Sequence, residues 1–188
     1  ESLAVLGESL FVGEPGDGGG SIRFIPRFDG GMEANHCQLR PEEMGGHVAW
    51  GSNIKVLPEK RLLLVSDPEF AGSSNGRIFL YDISETPDCS SPGDILSLRA
   101  VIAPDANAGD ARDFGAVFDA RLVNNTLEVV IGAPTGEGDL YFATFSLVLA
   151  MPADGAEQTA LLIASGDTEG VLGLGNTVLI DNANNRAF

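Results

Sequence analysis

Positive charge is scarce in this sequence. Eleven lysines and arginines stand against 27 aspartates and glutamates, a formal net charge of −16. A field of that sign repels phosphate backbones and anionic lipid, which argues against nucleic acid and membrane surfaces as partners and suits cations, calcium above all. Long apolar runs are also missing. The longest, Phe142 to Met151, is interrupted by Thr144 and Ser146, well short of the about 20 residues that span a bilayer as a helix. Helical periodicity is weak: no long segment places apolar residues at i, i+3, i+4 and i+7. Histidine occurs only at His36 and His47, and no Gly-x-Ser-x-Gly elbow is present, so a Ser-His-Asp triad has few ways to assemble. His36, Cys37 and His47 lack the tight paired spacing of a zinc site. Gly18-Gly19-Gly20 reads as a flexible turn before a strand, since a phosphate loop needs a following helix and usually a lysine. Disorder is excluded in turn, because 44% of the residues are hydrophobic and only 20% charged.

What is present is glycine, 24 in 188 residues, punctuating short β-rich runs. Ser9–Val12, Ser21–Ile25, Arg61–Val65, Arg77–Tyr81, Leu127–Ile131 and Asp139–Phe145 are each bounded by Gly, Pro, Asn or Asp. Runs of this length and spacing predict an all-β sandwich, barrel or propeller. They also repeat. Val12-Gly13-Glu14-Pro15 corresponds to Val65-Ser66-Asp67-Pro68 and to Ile131-Gly132-Ala133-Pro134, and a glycine-led strand follows each, at Gly20, Gly76 and Gly138. Gly45-Gly46-His47-Val48-Ala49-Trp50 and Phe114-Gly115-Ala116-Val117-Phe118 precede two of them, and a further copy opens at Leu174-Gly175. Pro15, Pro68 and Pro134 are 53 and 66 residues apart, a period that signals a repeat architecture. Each unit reads as four antiparallel strands, the fourth at Ile95–Ile102 in the second unit and Thr159–Ala164 in the third, which is the make-up of a propeller blade. The approximate boundaries are 1–44, 45–104 and 105–168, with the start of another unit at 169–188. Trp50 is expected on an inner strand, in the core.

Phe114-Gly115 followed by Gly132-Ala133-Pro134 resembles the FG-GAP repeat of integrin-α-like β-propellers. The resemblance is closest over Asp113–Phe145, good over Gly45–Asp82 and fair over Leu3–Arg27. It implies a partial propeller whose remaining blades lie elsewhere or come from another chain. It also implies calcium in the hairpin between the first two strands of a blade, on a pattern of alternating acidic residues. The hairpins here, Leu6–Ser9, Leu57–Lys60 and Ala120–Glu128, lack that pattern and read as plain turns. The nearest approach to it is Asp105, Asn107, Asp110 and Asp113, a candidate calcium set in a different place, before Phe114-Gly115. The alternative there is a solvated loop between blades, with Asp and Asn present for turn formation.

Cys37 and Cys89 are compatible with one disulfide and equally with two free thiols. Both fall between blades, 52 residues apart and close to one repeat length. Corresponding loops of adjacent blades lie on one face of a propeller, so a Cys37–Cys89 bond is expected, with bonding to other parts of the protein as the alternative. Asn124-Asn125-Thr126 is a glycosylation acceptor in an exposed turn, for a eukaryotic source. The chain opens at Glu1 rather than Met, which reads as a removed leader or an internal piece of a longer protein. Together these features point to a non-catalytic, secreted or cell-surface recognition, adhesion or scaffold module. Its partner would be a protein or glycan, or further copies of itself. Two rivals remain: the propeller part of a secreted hydrolase or lyase whose active residues lie outside this segment, and a structural subunit of a surface fibre.

Overall fold

The structure, a computed structural model, describes residues 2–16, 19–27, 36–41, 46–70, 75–85, 87, 89, 96–105, 111, 113–134, 139–146, 156–165, 177–181 and 186–187. Among these residues there is no helix; the chain is all-β. Its strands follow the turn signals. β1 (Ser2–Leu6) and β2 (Ser9–Glu14) form a hairpin in which Leu6 faces Ser9, leaving Gly7 at φ 60° to make the reversal. β3 (Gly19–Ile25) and β4 (Cys37–Leu39) complete an antiparallel set. A two-residue strand, β5 (Ala49–Trp50), then runs parallel to the start of β3. β6 (Ile54–Leu57), β7 (Leu62–Asp67), β8 (Arg77–Asp82) and β9 (Ser97–Pro104) form a second antiparallel set. β10 (Val117–Val123), β11 (Thr126–Ala133), β12 (Asp139–Ser146) and β13 (Ala156–Ser165) form a third. The tight β10–β11 turn uses Asn124 and Asn125 at φ 49° and 61°, the pair of positive values that a type I′ hairpin requires and that Asn tolerates. β14 (Ile180–Asp181) pairs with β15 (Arg186–Ala187).

Two boundaries differ from the sequence reading, each for a physical reason. The first strand of the second unit is Ile54–Leu57, not the run ending at Trp50. Trp50 instead ends the short β5, in the segment that crosses over to pair with β3 of the first set, and is fully buried as expected, with its indole N–H donating to the Tyr81 hydroxyl at 3.1 Å. The fourth strands are longer or displaced, at Ser97–Pro104 and Ala156–Ser165, because β13 serves two neighbours. Its first half, Ala156–Ala160, lies parallel to Ala100–Pro104 of β9, and its second half pairs with β12. The second and third sets thereby share one eight-stranded sheet.

The sets also pack through their faces. β7 reads Leu62-Leu63-Leu64-Val65, and every residue of the strand is buried. Strand geometry sends alternate side chains to opposite faces. Leu62 and Leu64 join a core with Phe114, Phe118, Leu127 and Val129 of the third set, while Leu63 and Val65 join Phe11, Ile22, Phe24 and Leu39 of the first. The second set is therefore covered on both faces, which is why its central strand is continuously apolar rather than alternating. The far face of the third set, at Val130, is covered by Val178 and Ile180. The first strands run in series, with β6 beside both β1 and β10, and β10 beside β14. Asp119 of β10 ties three sets together: Lys55 of β6 donates to it at 2.5 Å and the Ile180 amide at 2.8 Å.

Cys37 of β4 and Cys89, after β8, are bonded, with Cα atoms 5.1 Å apart. The bond fastens the outer strand of the first set to the second, where β13 fastens the second to the third by backbone pairing. Replacing both cysteines by alanine is expected to lower unfolding free energy by about 2–4 kcal/mol, the usual range for a loop of this size. Urea denaturation followed by circular dichroism measures it. An unchanged midpoint would mean that this bond does not constrain the unfolded chain.

Candidate functional site

Two junctions between sets, those whose residues are described, share one structural signature. The Gly51 amide donates to the Ser66 carbonyl at 3.0 Å, and the Gly115 amide donates to the Gly132 carbonyl at 3.1 Å. Both glycines have positive φ, 93° and 85°. A Cβ on Gly51 would meet Ser21 O at 2.8 Å and Gly13 Cα at 3.5 Å. One on Gly115 would meet Ser66 Cβ at 3.3 Å and Arg77 O at 3.5 Å. Gly13 corresponds to Ser66, and Ser21 to Arg77, so the two junctions match residue for residue. The counterpart of Phe114-Gly115 is thus Trp50-Gly51, and the alignment on Gly45-Gly46 is corrected. Glycine identity alone misled it, whereas the junction selects an aromatic residue followed by a glycine that can turn left-handed.

The expected calcium residues are only partly within the described set. Asp105 is half-buried at the end of β9, where its amide donates to the Ala160 carbonyl at 3.0 Å. Asp113 is half-buried at φ 58°, and its carbonyl accepts from the Ala116 amide at 2.8 Å. Asn107 and Asp110 lie outside the described residues. Among the described residues, no three His, Cys, Asp or Glu side chains come together as a metal site. Cys37, being in a disulfide, has no thiolate to offer a metal. Asn124 is exposed at the tip of the β10–β11 turn.

A closely enclosed histidine–carboxylate pair among the described residues is one that sequence reasoning missed. His47 Nδ1 lies 3.0 Å from Asp67 Oδ2, and the two side chains are 4% and 0% exposed. Asp67 also accepts from the Val48 amide at 3.2 Å and the Ala49 amide at 2.9 Å. The imidazole is enclosed by Phe79, Phe70 and Trp50, with ring centroids 4.8, 5.3 and 6.3 Å away. This packing excludes a substrate, so the pair positions the crossing segment rather than moving protons. The available signal was the acid at Asp67, at the place taken by Ala133 in the next copy.

The chain matches no family model and no curated protein. What it offers a ligand must be read from its surface. A cleft of about 540 Å³ opens between the β6–β7 and β10–β11 hairpins. The cleft is lined by Leu122 and Val123 of the longer β10–β11 hairpin and by Leu57, Pro58 and Glu59 of the shorter β6–β7 one. Its two cationic side chains are already engaged, Lys55 by Asp119 and Arg121 by Glu128 at 2.7 Å. Tyr141 is no base either. Burial, and then the neighbouring Asp139 carboxylate, push its phenol well above the usual range, so it stays protonated at physiological pH.

Asp82, at the end of β8, shows the opposite shift. Burial alone would raise its pKa, but the Ser84 side chain and amide, with Arg99 at 2.8 Å, outweigh it and hold the carboxyl below its ordinary value. A carboxyl depressed in the folded state adds stability above its unfolded pKa and loses it as pH falls through the folded value. Asp82→Asn should therefore melt below the parent at neutral pH, with the difference vanishing in acid. Thermal melts across a pH series test this; a gap that persists in strong acid would assign the loss to packing.

Proposed function

We propose that this chain is a non-catalytic extracellular recognition or scaffold module, built from stacked four-stranded units of an FG-GAP-type β-propeller. The observation that carries the reading is the matched junction, in which an aromatic-Gly step donates to the strand leading into Pro68 or Pro134 of its own unit and packs on the corresponding strand of the unit before. Sheets covered face to face, and first strands lying in series, support the same architecture. Recognition by such a module falls to the residues between its strands. The Cys37–Cys89 bond suits an oxidising, secreted location. Calcium at Asp105, Asn107, Asp110 and Asp113, and a glycan on Asn124, belong to this proposal.

Labelled chain applied to cell surfaces and to a glycan array tests it. The expected result is saturable binding that unlabelled chain displaces. Turnover of glycoside, ester or peptide substrates by the purified chain, lost on a single substitution, would overturn the non-catalytic reading. For calcium, the expected result is a melting temperature that rises with millimolar calcium and not with magnesium.

A further inference from the structure

Asn75 and Gly76 make the only Asn-Gly step in the chain, and it lies where the second and third sets meet. Gly76 is buried, and a Cβ on it would stand 2.1 Å from the Phe114 carbonyl oxygen and 2.6 Å from Pro68 Cα. Asn75, half-buried, precedes it at the start of β8. The close approach demands glycine at 76, and glycine has no side chain to shield its own amide nitrogen from the carboxamide before it. The corresponding glycines, Gly20 and Gly138, follow Gly19 and Glu137, so the combination belongs to one junction.

We propose that Asn75–Gly76 is a self-modifying step, and that its conversion to isoaspartate keeps the second and third sets from closing on each other again. The Gly76 amide nitrogen, its proton lost to hydroxide, attacks Asn75 Cγ. The Cγ–Nδ2 bond breaks, ammonia leaves and a five-membered imide closes. Water then opens the imide. Opening at Cγ gives aspartate; opening at the α-carbonyl gives isoaspartate, whose main chain runs through the former side chain. The net exchange is ammonia for water, without oxidant or cofactor. Both products add a negative charge. Isoaspartate also lengthens the main chain by one methylene, about 1.5 Å, beside a glycine that has no room even for a Cβ. The closed junction restrains the same glycine, so its nitrogen reaches Cγ only when the segment opens locally. The junction thus guards the site, and each conversion makes an opening permanent.

Incubation of the full 188-residue chain at mildly alkaline pH, followed by tryptic mapping, tests this. Peptide Leu62–Arg77 contains Asn75 as its one asparagine. It should gain the mass difference between an amide and an acid and split into two isomers, one of them a substrate for isoaspartyl methyltransferase. Conversion should run at least about tenfold faster in denaturing urea than in buffer, because urea removes the guard. Isoaspartyl chain returned to buffer should melt at least about 4 °C below the parent. Asn75→Gln, which cannot close a five-membered imide, should keep its melt through the same treatment and so controls for refolding. Asn75→Asp adds the charge without the methylene and should melt nearer the parent than the isoaspartyl form does. A folded chain that keeps Asn75 intact long after the unfolded chain has converted would overturn the proposal. So would equal rates with and without urea, or an isoaspartyl chain that melts as the parent does.

Discussion

Gly20→Ala and Gly76→Ala are expected to cost at least about 4 kcal/mol each, a size that only a few mechanisms reach. A Cβ on Gly20 would lie 2.0 Å from the Trp50 carbonyl oxygen, and one on Gly76 would lie 2.1 Å from that of Phe114. In both cases the obstacle is backbone of the next unit's crossing segment, which no rotamer change can relieve. Gly20 adds the strain of φ +85°, about 1–2 kcal/mol for a residue with a side chain. Gly7→Ala is the control. Its φ is +60° but nothing lies within 4 Å, so only the conformational cost remains, about 1 kcal/mol. Gly115→Ala falls between, at φ +85° with the Ile78 side chain at 3.1 Å. Urea unfolding of the four variants gives the order. If Gly76→Ala unfolds at the parent's midpoint, the units do not approach as described.

Asp67→Ala should lower stability by about 2–4 kcal/mol, since it leaves several buried donors unsatisfied at about 1–3 kcal/mol each. The substitution leaves His47 Nδ1 and the amides of Val48 and Ala49 without the acceptor they share. Solvent does not replace it, since Asp67 is fully buried and His47 nearly so. Asp67→Asn keeps one carbonyl oxygen and should cost less. The crossing segment holds Trp50 and Gly51, so the loss should reach the junction: Trp50 fluorescence should change before global unfolding in Asp67→Ala and not in the parent. A loss below about 1 kcal/mol, the worth of one ordinary hydrogen bond, would show that the acceptor is dispensable.

The all-β class and most of the strands were legible because they depend on local signals. Alternation, turn residues and the proline steps at Pro15, Pro68 and Pro134 act over a few residues, and each marks a place where the backbone must reverse or stop pairing. The run Arg61–Val65 was legible as a strand, but that both its faces are covered emerged only from the packing of Leu62 and Leu64 on one side and Leu63 and Val65 on the other. What the sequence could not assign was the partner. Gly51 and not Gly46 matches Gly115, since the choice depends on which carbonyl each amide reaches across some 15 residues of chain. His47 and Asp67 are 20 positions apart, and nothing in either residue's neighbours names the other. β13 divides between two strands because a long strand pairs wherever an open edge lies beside it, and edges exist only once the sheets have formed. The candidate site followed the same division. Residue types suggested oxygen ligands at Asp105 and Asp113 and an exposed turn at Asn124, but convergence is a property of distances. By itself the sequence determined the all-β class, the position of most strands and the net charge of −16, all of which follow from composition and short-range geometry. Only the tertiary structure decided which faces are covered and which cysteine meets which, because burial is set by what packs against a residue and not by the residue.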